Sequence, residues 1–254
     1  MWRSMMPRPA GVGRVSAAGG WVGTMYPRRA IVAAALACLG VSGCGPQGPV
    51  QFGSLEMSGG RVDIPETRPG QLVPVEEWPD ACQLLTEDEV KSLLPQAGID
   101  SRSVQVEVIG LGAGAQEGLA PAGQCDFELS LPGTDSSHHA QIWVNVQAVG
   151  DPSRIELSLD GSGGDEDEGD QGLKREDHGS SQGPQQCLTL GEPDESLTPT
   201  LRCRQGPLEF DVRGAAGAQT DIPGAANNSA RNRIFYSKVI MPSVEAVAAK
   251  VPAS

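Results

Sequence analysis

Residues 124–131 read QCDFELSL, and residues 140–149 read AQIWVNVQAV. In the first, Cys125, Phe127, Leu129 and Leu131 fall on alternate positions. In the second, Ile142, Val144, Val146 and Ala148 do the same. Successive side chains of a strand point to opposite faces, so strict alternation marks a strand buried on one face and wet on the other. One-sided burial is characteristic of antiparallel sheets. Working outward, SVQVEVIGL (103–111) alternates on Val104, Val106 and Val108, and PGTDSSHH (132–139) closes a hairpin between the two quoted strands.

Further along, TLRCRQGPLEFDVRG (200–214) reads as two strands about Gln205-Gly206-Pro207. Leu201 and Cys203 share one face, as do Leu208, Phe210 and Val212. QQCLTLG (185–191) adds a shorter strand, and residues 214–229 read as a Gly/Ala/Asn loop.

Helical spacing appears at both ends of this run. In WPDACQLLTEDEVKSLLPQAG (78–98), Leu84, Leu85, Val90, Leu93 and Leu94 recur with a helical period. Thr86 and Glu89 form a Thr-x-x-Glu capping box. Asp88 and Glu89 suit the positive end of a helix dipole. The spacing predicts a main helix over 87–95, preceded by a CQLL turn and ended by Pro95 and Gly98. Near the C-terminus, Ile240, Val244, Val247, Ala248 and Val251 keep helical spacing, and Pro242 favours a start near Met241. The preceding RIFYSKVI reads equally as a strand or an earlier helical turn. These elements predict one α+β domain over 76–254, with a mostly antiparallel sheet and helices packed on one face.

The N-terminal region gives an address. Arg28 and Arg29 precede an apolar run from Ala30 to Gly40, the length of a signal-peptide core and too short to span a bilayer. Val41-Ser42-Gly43-Cys44 follows and resembles a bacterial lipobox, in which the cysteine thiol takes a diacylglyceryl group. Residues 1–43 are therefore expected to be a signal peptide, with Met25 an alternative start. Two acyl chains on Cys44 suffice for stable anchoring. Residues 44–75 are rich in Gly and Pro and predict a flexible tether of roughly 30 Å reach.

Six cysteines are present. Cys38 lies in the signal core and Cys44 is the lipid site. Cys82, Cys125, Cys187 and Cys203 remain, an even number, as two disulfides outside the membrane require. Three pairings are open. Cys82–Cys125 with Cys187–Cys203 is favoured, because each bridge then stays within one half of the chain. Loop-closure entropy assigns these about 4 and about 3 kcal/mol. Their spacing has no CxxC, so a zinc site is not expected.

The chain before Cys44 carries five arginines and no acids, leaving 14 Lys+Arg against 32 Asp+Glu, a net −18. That balance excludes a nucleic-acid partner, whose phosphates need a basic face. It also leaves membrane attachment to the lipid alone. Residues 155–185 are the most polar stretch and predict a disordered acidic insertion. An EF-hand beginning at Asp165 fails twice: Gly169 stands at loop position 5, where a ligand is needed, and Asp170 at position 6, where glycine is required. GLGAGAQEG (110–118) lacks the lysine of a phosphate loop, and Asn227-Asn228-Ser229 matches a glycosylation sequon by chance. His138, His139 and His178 all fall in loops, and there is no Gly-x-Ser-x-Gly. Nothing predicts a catalytic centre, metal or cofactor.

Trp78-Pro79-Asp80-Ala81-Cys82-Gln83-Leu84-Leu85-Thr86, with Glu89-Val90 behind it, resembles the opening of a group of actinobacterial lipoproteins that carry a domain of unknown function. Many of those have a later cysteine followed by an aromatic, matched here by Cys125-Asp126-Phe127. The likeness covers about residues 76–150. It implies an envelope domain behind a lipobox and supplies no catalytic or binding residue.

The expectation is thus a lipid-anchored protein on the extracytoplasmic face of a bacterial cell membrane. Its domain is expected to be a non-enzymatic binding or interaction module whose partner is an envelope protein or small ligand. The alternative is a carrier for a small apolar ligand held between sheet and helix.

Overall fold

A computed structural model describes residues 48–109, 116–132, 139–155, 173–174, 186–190 and 200–252. They form an α+β domain. The strands are β1 (Gly98–Val108), β2 (Gly118–Ser130), β3 (Ala140–Val149), β4 (Leu173–Lys174), β5 (Gln186–Leu190), β6 (Thr200–Gln205) and β7 (Leu208–Ala215). All pairings are antiparallel, in the order β1-β2-β3-β7-β6-β5-β4. The chain therefore meanders from one edge to the centre, crosses to the other edge, and meanders back until β7 meets β3.

The helices pack on one face. Helix α1 (Ala81–Leu84) is capped by Asp80, whose side chain accepts from Cys82 N. Helix α2 (Glu87–Leu93) opens with the expected capping box: Thr86 Oγ1 accepts from Glu89 N at 3.3 Å, and Glu89 Oε2 accepts from Thr86 N at 2.9 Å. The C-terminal helical segment begins earlier than its apolar period. Helix α3 (Asn228–Phe235) starts at Asn227, whose side chain accepts from Ala230 N. It runs through a π turn (Tyr236–Ile240) into α4 (Met241–Lys250). RIFYSKVI is thus helical. Phe235, Val239 and Ile240 are buried against β7, and that packing outweighs the strand preference of β-branched and aromatic residues. Gly214 permits the close approach, since a Cβ there would lie 2.7 Å from Ile240 Cδ1.

Between the layers, Phe127, Leu129, Ile142, Val144, Leu201, Phe210 and Val212 of the sheet meet Leu84, Leu93, Phe235 and Val247 of the helices, all fully buried. Two irregularities reset the alternation. The β1–β2 register shifts between Val104 and Val106, so Val104 pairs with Gln124 while Val106 pairs with buried Ala120. The β3–β7 register shifts between Val146 and Ala148, making Gln147 a bulge residue. Val149 then joins the core, and Ala148 pairs with Glu209 on the opposite face.

The expected flexible tether over 44–75 is corrected from residue 48 onward. This stretch is an extended strap laid along the domain, and the fold begins well before Glu76. Val50, Val62 and Val73 are buried in the core. Val50 N donates to Asp221 O, Gly53 N to Leu93 O, Val62 N to Lys250 O and Val73 N to Val149 O. Glycine serves this docking directly, because a Cβ on Gly53 would lie 2.0 Å from the Ser92 carbonyl oxygen. The strap is also tied by an ion pair beneath it. Lys250 Nζ lies 2.5 Å from Glu89 Oε2, both side chains being buried, and Glu89 Oε1 accepts from Ser58 N. Of the expected insertion over 155–185, Ile155 is buried and Leu173–Lys174 pairs with β5; the remainder lies outside the described residues.

Candidate functional site

Both favoured disulfides form. Cys82–Cys125 ties α1 to β2, with Cα atoms 4.9 Å apart. Cys187–Cys203 joins directly opposed residues of β5 and β6, with Cα atoms 4.1 Å apart. Val41, Ser42, Gly43 and Cys44 lie outside the described residues, as do His138, His178 and the acidic run 165–170. His139 Nε2 sits 3.3 Å from Glu128 Oε1 at the rim of the sheet. No described helix is long and apolar enough to cross a membrane.

The side chains with chemical potential lie on the sheet face that α1–α4 leave uncovered. Cross-strand partners share a face, so the register orders them into rows. One row runs Arg102, Asp126, Trp143, Arg213, Thr200 across β1, β2, β3, β7 and β6. The next runs Val104, Gln124, Asn145, Asp211, Arg202, Leu188. A third runs Ala148, Glu209, Arg204, Gln186. Charges alternate in sign along these rows. Arg102 pairs with Asp126 at 3.2 Å, and the Arg213 guanidinium lies 5.1 Å from the centroid of the Trp143 ring.

Asp211 is the centre of this face. It is 5% exposed and Glu209 only 2%. A short helical turn at 152–155 approaches here, where Arg204 Nη1 donates to Pro152 O. Asp211 Oδ1 accepts from Asn145 Nδ2 at 2.5 Å, and Oδ2 accepts from Gln147 Nε2 at 2.6 Å. Gln147 reaches Asp211 because it occupies the bulge, a device that re-aims a side chain without ending the strand. Its Oε1 accepts from Arg202 Nη2 at 3.4 Å, and Arg202 lies 3.8 Å from Asp211 and 3.9 Å from Glu209. Burial raises the Asp211 pKa above its ordinary value. The Asn145 hydrogen bond, the charges of Arg202 and Arg213, and the Gln147 hydrogen bond pull it back.

Chemically this is a network of fixed donors and acceptors. Both carboxylate oxygens of Asp211 are occupied by amide donors, the arrangement of a preorganised polar platform rather than of a free base. Sequence reasoning missed it, because Asp211 and Arg213 alternate with core residues and read as solvent-side positions of a strand. The Gln147 bulge has no glycine or proline to announce it.

A second feature lies at the end of the sheet holding Gly150 and Pro207. A cleft of about 310 Å³ is lined by Glu66, Thr67, Arg68, Gln71 and Glu77 beside Leu72, Val73 and Pro74. Between sheet and helices the described apolar side chains form one buried cluster. Set against known families, curated proteins and solved structures, the chain matches none.

Proposed function

We propose that the chain is an extracytoplasmic lipoprotein, held to the membrane by a lipid on Cys44, whose domain is a non-enzymatic binding module. The sheet face opposite α1–α4 is its recognition surface, and the partner is an envelope protein or small polar ligand. The observation that carries this reading is the Asp211 network. Buried charges are costly unless paired and hydrogen-bonded. Here they are held in register across β3, β6 and β7, on a face that no helix of the main layer covers. The VSGC motif and two disulfides support the extracytoplasmic setting.

Two experiments test the proposal. Cys44→Ala is expected to move the protein from the membrane to the soluble fraction of its host; unchanged fractionation would sink the anchor. For the surface, a photo-crosslinking side chain at exposed Arg102 is expected to give a discrete adduct in native envelopes. The same group at exposed Glu245, on the helix side, is expected to give none. Matching patterns from the two positions would remove the sheet face from the account.

A further inference from the structure

The strap has a definite direction. Val50 and Gln51 are fastened at one end of the sheet, to Asp221 O and to Gln96 Oε1. That end holds the start of β1, the end of β2, the start of β3 and the end of β7, as Gly98↔Ser130 and Gln141↔Ala215 require. The strap then passes α2, where Ser58 meets Thr86 and Glu89, and the last turn of α4, where Val62 meets Lys250. It finishes at the opposite end, where Leu72 bridges Gly150 and Val73 N donates to Val149 O.

Only six residue steps separate Cys44 from Val50. A fully extended chain spans at most ~3.6 Å per residue, so the lipid lies within about 20 Å of the Val50 end. The ten residues of β3 alone stand roughly 33 Å tall at ~3.3 Å each. The tether is therefore shorter than the domain, and it starts from one end of it.

We infer that the Val50–Gln96–Asp221 end is a bilayer-facing surface, and that the cleft lined by Glu66, Arg68 and Glu77 is held outward. This rests on the lipid-anchor reading of Cys44. The strands then stand away from the membrane, and the Asp211 face is turned sideways to it.

The four domain cysteines are disulfide-bonded, so one added thiol can be labelled selectively. Ala226→Cys, in the exposed loop after Asp221, and Glu66→Cys, at the cleft, each receive an environment-insensitive fluorophore. Both are prepared as lipidated protein in vesicles of phosphatidylethanolamine and phosphatidylglycerol carrying a headgroup quencher. Quenching at position 226 is expected to exceed that at position 66 at least fivefold. Inserting fifteen Gly/Ser residues after Gly45 is expected to reduce that ratio towards one. Equal or reversed quenching, with the Cys44 lipid present in the intact mass, overturns the orientation while leaving the anchor standing. An intact mass without lipid overturns both.

Discussion

Phe210 and Asp211 are neighbours in β7 and serve opposite faces of one sheet. Phe210 is enclosed by helices, and its environment follows from alternation and the hydrophobic effect. Asp211 is almost as deeply buried, yet what makes its burial tolerable is polar: Asn145 and Gln147 of β3, Arg202 of β6 and Arg213 of its own strand. The apolar face is held by area removed from water, which tolerates changes of detail. The polar face depends on matched donors and acceptors, where one wrong atom leaves a buried group unsatisfied. Apolar burial and polar matching thus lie on different sides of the same strands.

The comparison can be broken by substitution. Phe210→Ala leaves a cavity between sheet and helices and is expected to lower unfolding free energy by about 3–5 kcal/mol. A loss below about 1 kcal/mol in denaturant unfolding would mean that this side is not the stabilising one. Lys250→Ala strands Glu89 without its cation on the helix side, and about 3–5 kcal/mol is expected. Replacing Glu89 and Lys250 together with Met should recover much of that loss. Failure of the double variant to recover would assign the pair's importance to strap geometry rather than charge.

On the polar face the expected effects are smaller. Asp211→Asn sets an amide N–H against a donor from Asn145 or Gln147, at about 1–3 kcal/mol near neutral pH. The sign with pH is specific. Burial raises the folded-state pKa of Asp211, so from 3.8 upward the unfolded chain releases this proton first. The protonated group's advantage to the fold is complete below that value and is lost as pH rises through the folded pKa. The stability of the wild type relative to Asp211→Asn is therefore expected to fall across that window. Unfolding titrations in which the difference rises with pH would contradict the raised pKa. Smallest is Arg102→Ala: Arg102 is well exposed in its pair with Asp126, and at most about 1 kcal/mol is at stake. A larger loss would show that the outer row is part of the fold's support rather than of recognition.

The apolar face was legible in the sequence, and so was the α2 capping box, because each is written in local spacing. Both disulfides were favoured by proximity along the chain. The polar face was not legible, because a residue's partner across a sheet leaves no local mark and a bulge at Gln147 looks like any other strand position. The strap was misread for a related reason. Its buried valines stand about a dozen residues apart among glycines and prolines, a spacing with no helical or strand period. Their partners, Asp221, Lys250 and Val149, lie far along the chain. For RIFYSKVI, tertiary packing on β7 decided between two conformations that propensity left open.

The strap also constrains the order in which the molecule can be completed. It is made well before two of its fastenings, Asp221 and Lys250, and the Glu89–Lys250 pair spans 161 positions. Contacts so distant form late, after local hairpins have removed most of the chain's freedom. Until Asp221 and α4 are in place, Val50 and Val62 respectively lack their fastenings. The last turn of α4 is thus a latch, and a nascent chain that had not yet reached Lys250 would carry a finished sheet with the strap still loose.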